Sequence, residues 1–122
     1  MKTCLIVDDS TVVRKVARRI LEDMDFSVDE AEDGQEAIDK CRQAMPDAIL
    51  LDWQMPIMSG LEFLKQLRAY IGGEAPYVVY CTVENDIGAI AMALRAGASD
   101  YMMKPFDRAI LEAKFETPLA AA

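Results

Sequence analysis

Four short apolar runs in this chain each end in a polar residue that can take part in chemistry. The run LIVDD ends at Asp8 and Asp9, AILLD at Asp52, VVYCT at Thr82, and YMMKP contains Lys104. A continuous apolar run of this length is typical of a strand buried on both faces of a parallel sheet. Because open parallel sheets bind ligands outside the carboxyl ends of their strands, the four ends are predicted to form one site.

Strand and helix patterns alternate five times along the chain and are joined by short loops. The predicted strands are 4–7, 26–31, 48–51, 77–81 and 101–103, and the predicted helices are 11–24, 35–44, 61–70, 87–95 and 108–115. This alternation predicts a doubly wound α/β fold with a five-stranded parallel sheet. The common strand order 2-1-3-4-5 would bring Asp8, Asp9 and Asp52 together. Residues 1–122 are expected to form one domain with a frayed tail, because Pro118 and an alanine-rich end follow the last helix.

The start of the first helix allows two interpretations of the aspartate pair. Asp8 and Asp9 could merely cap the helix, although Ser10 or Thr11 can also do so. Polar residues at the ends of the other three runs favour a shared site instead. The core-facing stripe of this helix is predicted to consist of Val12, Val13, Val16, Ala17, Ile20 and Leu21.

Three carboxylates at one edge of a sheet would repel one another, and a bound cation would resolve the conflict. Asp8, Asp9 and Asp52 offer only oxygen ligands at an open crevice. Hard divalent ions prefer such ligands, and Mg²⁺ fits better than Ca²⁺ or Zn²⁺ because it keeps several waters and shares its ligands with phosphate. The sequence therefore predicts a magnesium site, at which Mn²⁺ is expected to substitute.

Asp52 ends the most apolar run and is predicted to be a nucleophile that forms an acyl phosphate. Phosphoryl transfer spreads negative charge over several oxygens, which need a metal, a cation and a hydroxyl or amide donor nearby. Lys104 would supply the cation and Thr82 the hydroxyl. The Lys104–Pro105 bond follows a buried run, where a cis form would fix the direction of the lysine.

The overall composition limits the classes of partner. There are 21 acidic and 13 basic residues, a net charge of −8, and this charge argues against binding to nucleic acid or to anionic membranes. The chain contains no histidine, so a phosphohistidine must come from another molecule. Its three cysteines have no CxxC spacing, and its N-terminus is not typical of a signal peptide. A cytoplasmic protein is expected.

The chain closely resembles the response-regulator receiver domain, in particular the single-domain, chemotaxis-type (CheY-like) regulators with a flavodoxin-like fold. The resemblance lies in LIVDDS, LLDWQMPIMSG, the threonine of YCTVEND, and AGASDYMMKPF, which occur in the family's order and spacing. It implies that Asp52 is the phosphoacceptor, that Asp8 and Asp9 bind the metal, and that the backbone carbonyl of Gln54 completes the metal shell. It further implies that Thr82 is the switch hydroxyl, that Lys104 contacts phosphate, and that Tyr101 is the rotating aromatic.

Three residues occupy positions that tune the reaction in this family. Gln54 and Glu84 lie where side chains help or block the water that removes the phosphoryl group. Val83 stands where chemotaxis regulators often have a smaller residue. Its β-branched side chain is expected to narrow access to Asp52 and to slow exchange with small phosphodonors.

The resemblance implies a signalling protein rather than an enzyme with a metabolite substrate. A histidine kinase or phosphotransfer protein would phosphorylate Asp52, and Thr82 and Tyr101 would relay the change to the surface formed by the fourth helix, fifth strand and fifth helix. Little sequence follows the last helix, so a protein contact is the expected output, by a monomer or weak dimer. The target could be a flagellar motor switch component, or the domain could serve as a phosphate sink or relay intermediate. A magnesium-dependent phosphatase, a flavin-binding module and an unphosphorylated pseudo-receiver are the alternatives.

Overall fold

Each apolar run forms a strand between two layers of helices. The computed structural model describes residues 2–83 and 87–120, and among them strands and helices alternate along the chain. The strands are β1 Thr3–Val7, β2 Ser27–Ala31, β3 Ala48–Asp52, β4 Tyr77–Thr82 and β5 Asp100–Met103. The helices are α1 Thr11–Asp23, α2 Gly34–Gln43, α3 Gly60–Ala69, α4 Ile87–Ala96 and α5 Arg108–Ala120.

All strand pairs are parallel, and the order across the sheet is β2-β1-β3-β4-β5. Alternate side chains of the strands enter two separate cores. One core packs against α2, α3 and α4 and the other against α1 and α5. The central strand β3 is buried along its whole length, as expected for a strand covered on both faces. The predicted fold class and strand order are therefore confirmed.

The register of the strands determines which polar ends meet. Val7 of β1 pairs with Leu51 of β3, so Asp8 and Asp52 follow at the same level of neighbouring strands. Cys81 pairs with Asp52, which places Thr82 one residue further along β4. Thr82 in turn pairs with Met103, the residue before Lys104. The ends of four strands thus meet at one edge of the sheet.

Ser10, rather than either aspartate, caps α1. Its hydroxyl accepts a hydrogen bond from the backbone N–H of Val13 at 3.3 Å. The carboxylate of Asp8 instead accepts the backbone N–H of Ser10 at 2.8 Å. The interpretation of Asp8 and Asp9 as mere helix caps is therefore wrong.

Two details of the helices differ from the sequence predictions. Ala17, Ile20 and Leu21 of α1 are buried, but Val12 and Val16 are 71% and 51% exposed, because they lie on the flank of the helix that β-strands do not cover. α5 continues to Ala120 instead of ending near 115. The last two residues of the tail that was predicted to be frayed lie outside the described residues, so the frayed tail stays a prediction. Within the described ranges, no helix is long and apolar enough to cross a membrane.

Candidate functional site

Asp8, Asp9 and Asp52 form a carboxylate cluster at the carboxyl edge of the sheet. One oxygen of each lies within 4.8 Å of the others. Asp8 and Asp52 are only 3% and 7% exposed, whereas Asp9 is exposed on the loop between β1 and α1. The register of β1 and β3 produces this juxtaposition, so the sequence prediction that the three carboxylates meet agrees with the geometry.

Lys104 bridges the two buried carboxylates. Its Nζ lies 2.8 Å from Asp8 Oδ2 and 3.0 Å from Asp52 Oδ1. The backbone N–H of Lys104 donates to the Thr82 carbonyl at 2.8 Å, which extends the β4–β5 ladder by one residue and aims the side chain across the sheet edge. The Lys104–Pro105 peptide bond is cis. The ammonium therefore lies where a cation was predicted.

The two oxygens of the Asp52 carboxylate differ in their surroundings. Oδ1 accepts hydrogen bonds from Lys104 Nζ and from the backbone N–H of Trp53, each at 3.0 Å. Oδ2 receives neither of these bonds. The Trp53 N–H also donates to the Cys81 carbonyl at 3.1 Å, so the loop after β3 is tied to β4. Lys104 and the Trp53 N–H therefore both hold the same oxygen, Oδ1.

Burial dominates the electrostatics of the site. It raises the pKa of Asp52, and although the hydrogen bond from Lys104 opposes this effect, the charges of Asp8 and Asp9 reinforce it. Burial alone would lower the pKa of Lys104, but its hydrogen bonds to Asp8 and Asp52 outweigh burial and raise that pKa. Lys104 is therefore charged at neutral pH, and the cluster carries more negative charge than this lysine balances.

The donor set of the cluster fits a hard divalent cation. Three carboxylate oxygens lie close enough to share one ion, and two of the residues are nearly inaccessible to water. Mg²⁺ prefers oxygen ligands and retains waters, which the exposed side of Asp9 leaves room for. A second acidic group, formed by Glu32, Asp33 and Glu36, lies elsewhere and has no nearby lysine bridge of this kind among the described residues.

The two residues predicted to relay a conformational change lie in different environments. Thr82 is 3% exposed at the end of β4, beside the carboxylate cluster. Tyr101 is 38% exposed on β5, and the ammonium of Lys114 lies 5.3 Å from the centre of its ring. The tyrosine ring therefore lies outward, against α5, and not in the interior.

Two of the three predicted tuning residues, Gln54 and Val83, lie within the described residues. Gln54 is exposed in the loop after β3, and the role of its carbonyl as a metal ligand stays a prediction. Val83 is 66% exposed and lines an apolar groove together with Val12, Lys104 and Pro105. Glu84 lies outside the described residues.

Arg14 is a contact of the site that the sequence patterns did not reveal. Its Nη1 donates to the backbone carbonyl of Asp8 at 2.6 Å, and its Nε pairs with Glu30 at 3.0 Å. α1 also contains Lys15, Arg18 and Arg19, and nothing in the helix periodicity distinguishes Arg14 from them. Its bond to the Asp8 carbonyl distinguishes it, and this bond is visible only in the three-dimensional structure.

Comparison with known proteins gives one consistent result. A family model described as the response regulator receiver domain matches residues 4–116. The chain is 42% identical over 102 residues to the response regulator MprA of Mycolicibacterium vanbaalenii, a match that covers 84% of this chain and 43% of that protein. An MprA from Mycobacterium sp. (strain KMS) is equally similar, with 44% of its length covered. The chain thus spans less than half the length of these curated relatives.

Solved structures with the same fold include a chemotaxis protein. The chemotaxis response regulator CheY4 of Vibrio cholerae superposes with a TM-score of 0.91 at 31% identity, covering 95% of this chain and 97% of that one. A CheY-like receiver domain protein from Methanospirillum hungatei JF-1 superposes with a TM-score of 0.89 at 28% identity, covering 99% of this chain and 95% of that one. The likeness in sequence and the likeness in structure therefore agree on the receiver domain.

Proposed function

The chain belongs to the response-regulator receiver family, and on that premise we propose that Asp52 accepts a phosphoryl group from a phosphohistidine of a histidine kinase or phosphotransfer protein. The observation that carries this proposal is the bridge of Lys104 between Asp52 and Asp8, with Asp9 beside them. A buried nucleophile with a cation and two further carboxylates at its side suits phosphoryl transfer, in which charge must be balanced around the moving group.

In the proposed reaction, Asp52 Oδ2 attacks the phosphorus of the phosphohistidine. The new P–O bond forms as the P–N bond breaks, and the electron pair of that bond returns to the imidazole of the donor. Oδ1 stays hydrogen-bonded to Trp53 N–H, which keeps the carboxylate in one orientation during the attack. Asp8, Asp9, Asp52 and the Gln54 carbonyl would hold Mg²⁺, which when bound neutralises charge on the phosphoryl oxygens.

An apolar groove beside the site supports a protein as the donor. It lies between α1 and the loop after β5, and it is lined by Val12, Val13, Val16, Val83, Lys104, Pro105 and Phe106. Lys104 belongs both to this groove and to the carboxylate cluster, so a protein seated on the exposed valines would have its phosphohistidine beside Asp52. Val16→Glu is expected to reduce transfer from a protein donor and to leave labelling by acetyl phosphate unchanged. Equal loss with both donors would contradict this assignment.

The phosphorylated protein is proposed to bind its target through the surface formed by α4, β5 and α5. Among the side chains that the structure describes on these elements, five large apolar ones are at least 38% exposed: Ile87, Met92, Leu94, Tyr101 and Ile110. Thr82 at the site and Tyr101 on this surface lie on neighbouring strands. Movement of the threonine towards a bound phosphoryl group would vacate space that the tyrosine ring could enter.

The process that the output controls is proposed from the comparisons alone. Similarity to CheY4 supports a chemotaxis role, with a target such as a flagellar motor switch protein. Similarity to MprA supports a response regulator without specifying the process that it controls. Binding of the phosphorylated protein to a motor switch protein would favour the first role, and transfer of phosphate back to a kinase without such binding would favour a phosphate sink.

The central test is labelling of the protein by acetyl phosphate and by purified histidine kinases in the presence of Mg²⁺. Wild type is expected to incorporate one acid-stable, base-labile phosphoryl group, whereas Asp52→Asn is expected to incorporate none. Lys104→Ala serves as a second variant, and its labelling should be slow although Asp52 is intact. Absence of Asp52-dependent label from any donor would refute the proposal. Repeated turnover of phosphomonoesters would instead favour a phosphatase.

A further inference from the structure

Arg14 lies behind the carboxylate cluster and contacts it only through the backbone. Its Nη1 donates to the Asp8 carbonyl at 2.6 Å, and its Nε pairs with Glu30 Oε1 at 3.0 Å. The arginine side chain is only 12% exposed, although it belongs to a surface helix. This one side chain therefore connects α1, β2 and the loop that carries two of the three carboxylates.

The loop from Asp8 to Ser10 has few other restraints. Asp8 N–H donates to the Ala31 carbonyl at 3.1 Å, and Ser10 N–H donates to Asp8 Oδ1 at 2.8 Å. The exposed Asp9 side chain makes no hydrogen bond or ion pair within the described ranges, so the backbone is the main restraint on where its carboxylate can lie. The carbonyl that Arg14 holds belongs to the peptide unit joining Asp8 to Asp9. Rotation of that unit would swing the Asp9 side chain away from Asp52.

We propose that Arg14 is a positioning residue, which fixes the Asp8–Asp9 peptide so that Asp9 is already in place when a divalent cation arrives. This inference rests on the proposed function, because it concerns the same magnesium site. Residues that orient metal ligands from behind typically change metal affinity by about 10- to 100-fold when they are replaced. Glu30 contributes by holding the guanidinium in the orientation that the carbonyl requires.

Charge and positioning predict opposite effects for the loss of Arg14. As a nearby positive charge, the guanidinium repels Mg²⁺, so its removal would strengthen metal binding. As a positioning group, it favours the bound arrangement, so its removal would weaken metal binding. Arg14→Lys separates the two roles further, because lysine keeps the charge but cannot contact the carbonyl and Glu30 with one planar group.

Arg18 provides a matched control on the same helix. It also pairs with Glu30, at 2.6 Å, and it donates to the Val28 carbonyl at 2.9 Å. It makes no contact with Asp8 in the part of the chain that the structure describes. Arg18→Gln therefore removes a positive charge and a bond to Glu30 without releasing the carboxylate loop.

The first experiment measures the Mg²⁺ dissociation constant of the full chain by the fluorescence of Trp53, the residue that follows Asp52 and the chain's single tryptophan. Arg14→Gln and Arg14→Lys are each expected to raise this constant about tenfold or more, and Arg18→Gln less than about twofold. Circular dichroism under the same conditions checks that each variant is folded. Affinity that is unchanged or tighter in both Arg14 variants would overturn the inference.

The second experiment needs no metal and tests the positioning step directly. Hydrogen exchange of the Ser10 amide, which donates to Asp8, is expected to be faster in metal-free Arg14→Lys than in wild type, while the amides of β1 exchange at the wild-type rate. Unchanged exchange at Ser10 would overturn the inference. If wild type itself fails to bind Mg²⁺, the proposed function fails, and the exchange result still decides whether Arg14 holds the loop.

Discussion

Replacement of Gly60 by alanine is expected to destabilise the protein because it would place a methyl group against the strand that carries Asp52. Gly60 is the first residue of α3, and its N–H donates to the Trp53 carbonyl at 3.0 Å. A Cβ at this position would lie 2.2 Å from the Asp52 carbonyl oxygen and 3.1 Å from the Trp53 Cα. Carbon–oxygen contacts normally need about 3.3 Å, so the helix or the strand would have to move by roughly 1 Å.

The cost of that movement exceeds the gain in helix propensity. Overpacking of a rigid region costs about 1–3 kcal/mol, and the upper end applies here because both partners are backbone. Alanine favours the helix over glycine by at most about 1 kcal/mol. The free energy of unfolding should therefore fall by about 2 kcal/mol, which would lower the urea midpoint by about 1 M for a slope near 2 kcal/mol/M.

Gly72→Ala is the matched control. Gly72 has a φ of +83° but no atom within 4 Å of its added Cβ, so that variant carries only the conformational cost, about 1 kcal/mol. Urea unfolding of both variants compares the two. Gly60→Ala should also slow acetyl phosphate labelling by about 10-fold or more, because the shift moves Asp52 relative to Lys104. Stability of Gly60→Ala equal to wild type, or loss no greater than in Gly72→Ala, would refute the steric argument.

Four other substitutions test separate features of the molecule. Asp52→Asn should stabilise the metal-free protein at pH 7, because burial raises the pKa of Asp52 and the ionised form opposes folding. The difference in unfolding free energy between variant and wild type should vanish below about pH 4, where the carboxyl is protonated in the folded and the unfolded state. Equal urea midpoints at pH 7 would refute this prediction. Val83→Ala should be labelled faster by acetyl phosphate if the exposed valine narrows the entrance, and an unchanged rate would count against that role. Ile57→Asn should raise the free energy of unfolding by about 1 kcal/mol, because a β-branched residue is strained at a φ of +71°. A melting temperature below that of wild type would contradict this prediction. Tyr80→Phe should also stabilise by about 1 kcal/mol, because the buried hydroxyl has no hydrogen-bond partner among the described residues, and a loss of stability would point to a partner for it.

The sheet, and the clustering of the polar residues at its strand ends, could be predicted because both follow from the apolar runs in the sequence. A buried strand is read from its continuous apolar run, and parallel strands necessarily bring their carboxyl ends to one edge. For this reason Asp8, Asp52 and Lys104 could be assigned to one site from their positions at the ends of separate runs. Their contacts at 2.8 and 3.0 Å depend on the register, which the structure shows and the continuous apolar runs do not specify.

The sequence predictions fail where the hydrophobic pattern does not determine which residues pack against a given side chain. Val12 and Val16 share a helix face with buried residues, but they lie at its edge and line an open groove, so they stay exposed. Arg14 is one of several basic residues on α1, and since Arg18 pairs with Glu30 as well, only the bond from Arg14 to the Asp8 carbonyl distinguishes it. Nothing in the sequence predicts that Ile57 adopts a positive φ, because β-branched residues rarely do so.

The hydrogen bonds of Asp52 suggest how the proposed reaction avoids a competing ion pair. A lysine that neutralised the whole carboxylate would have to leave before the nucleophile could attack. Here Lys104 and Trp53 N–H both bond to Oδ1, so attack through Oδ2 breaks neither contact. Lys104 also contacts Asp8 Oδ2, so its ammonium lies between the proposed nucleophile and one of the residues that would hold Mg²⁺. From this position it could contact the incoming phosphoryl oxygens and balance their charge. Lys104→Arg should therefore be labelled slowly, because a planar guanidinium keeps the charge but does not place a compact ammonium 2.8 and 3.0 Å from the two carboxylates.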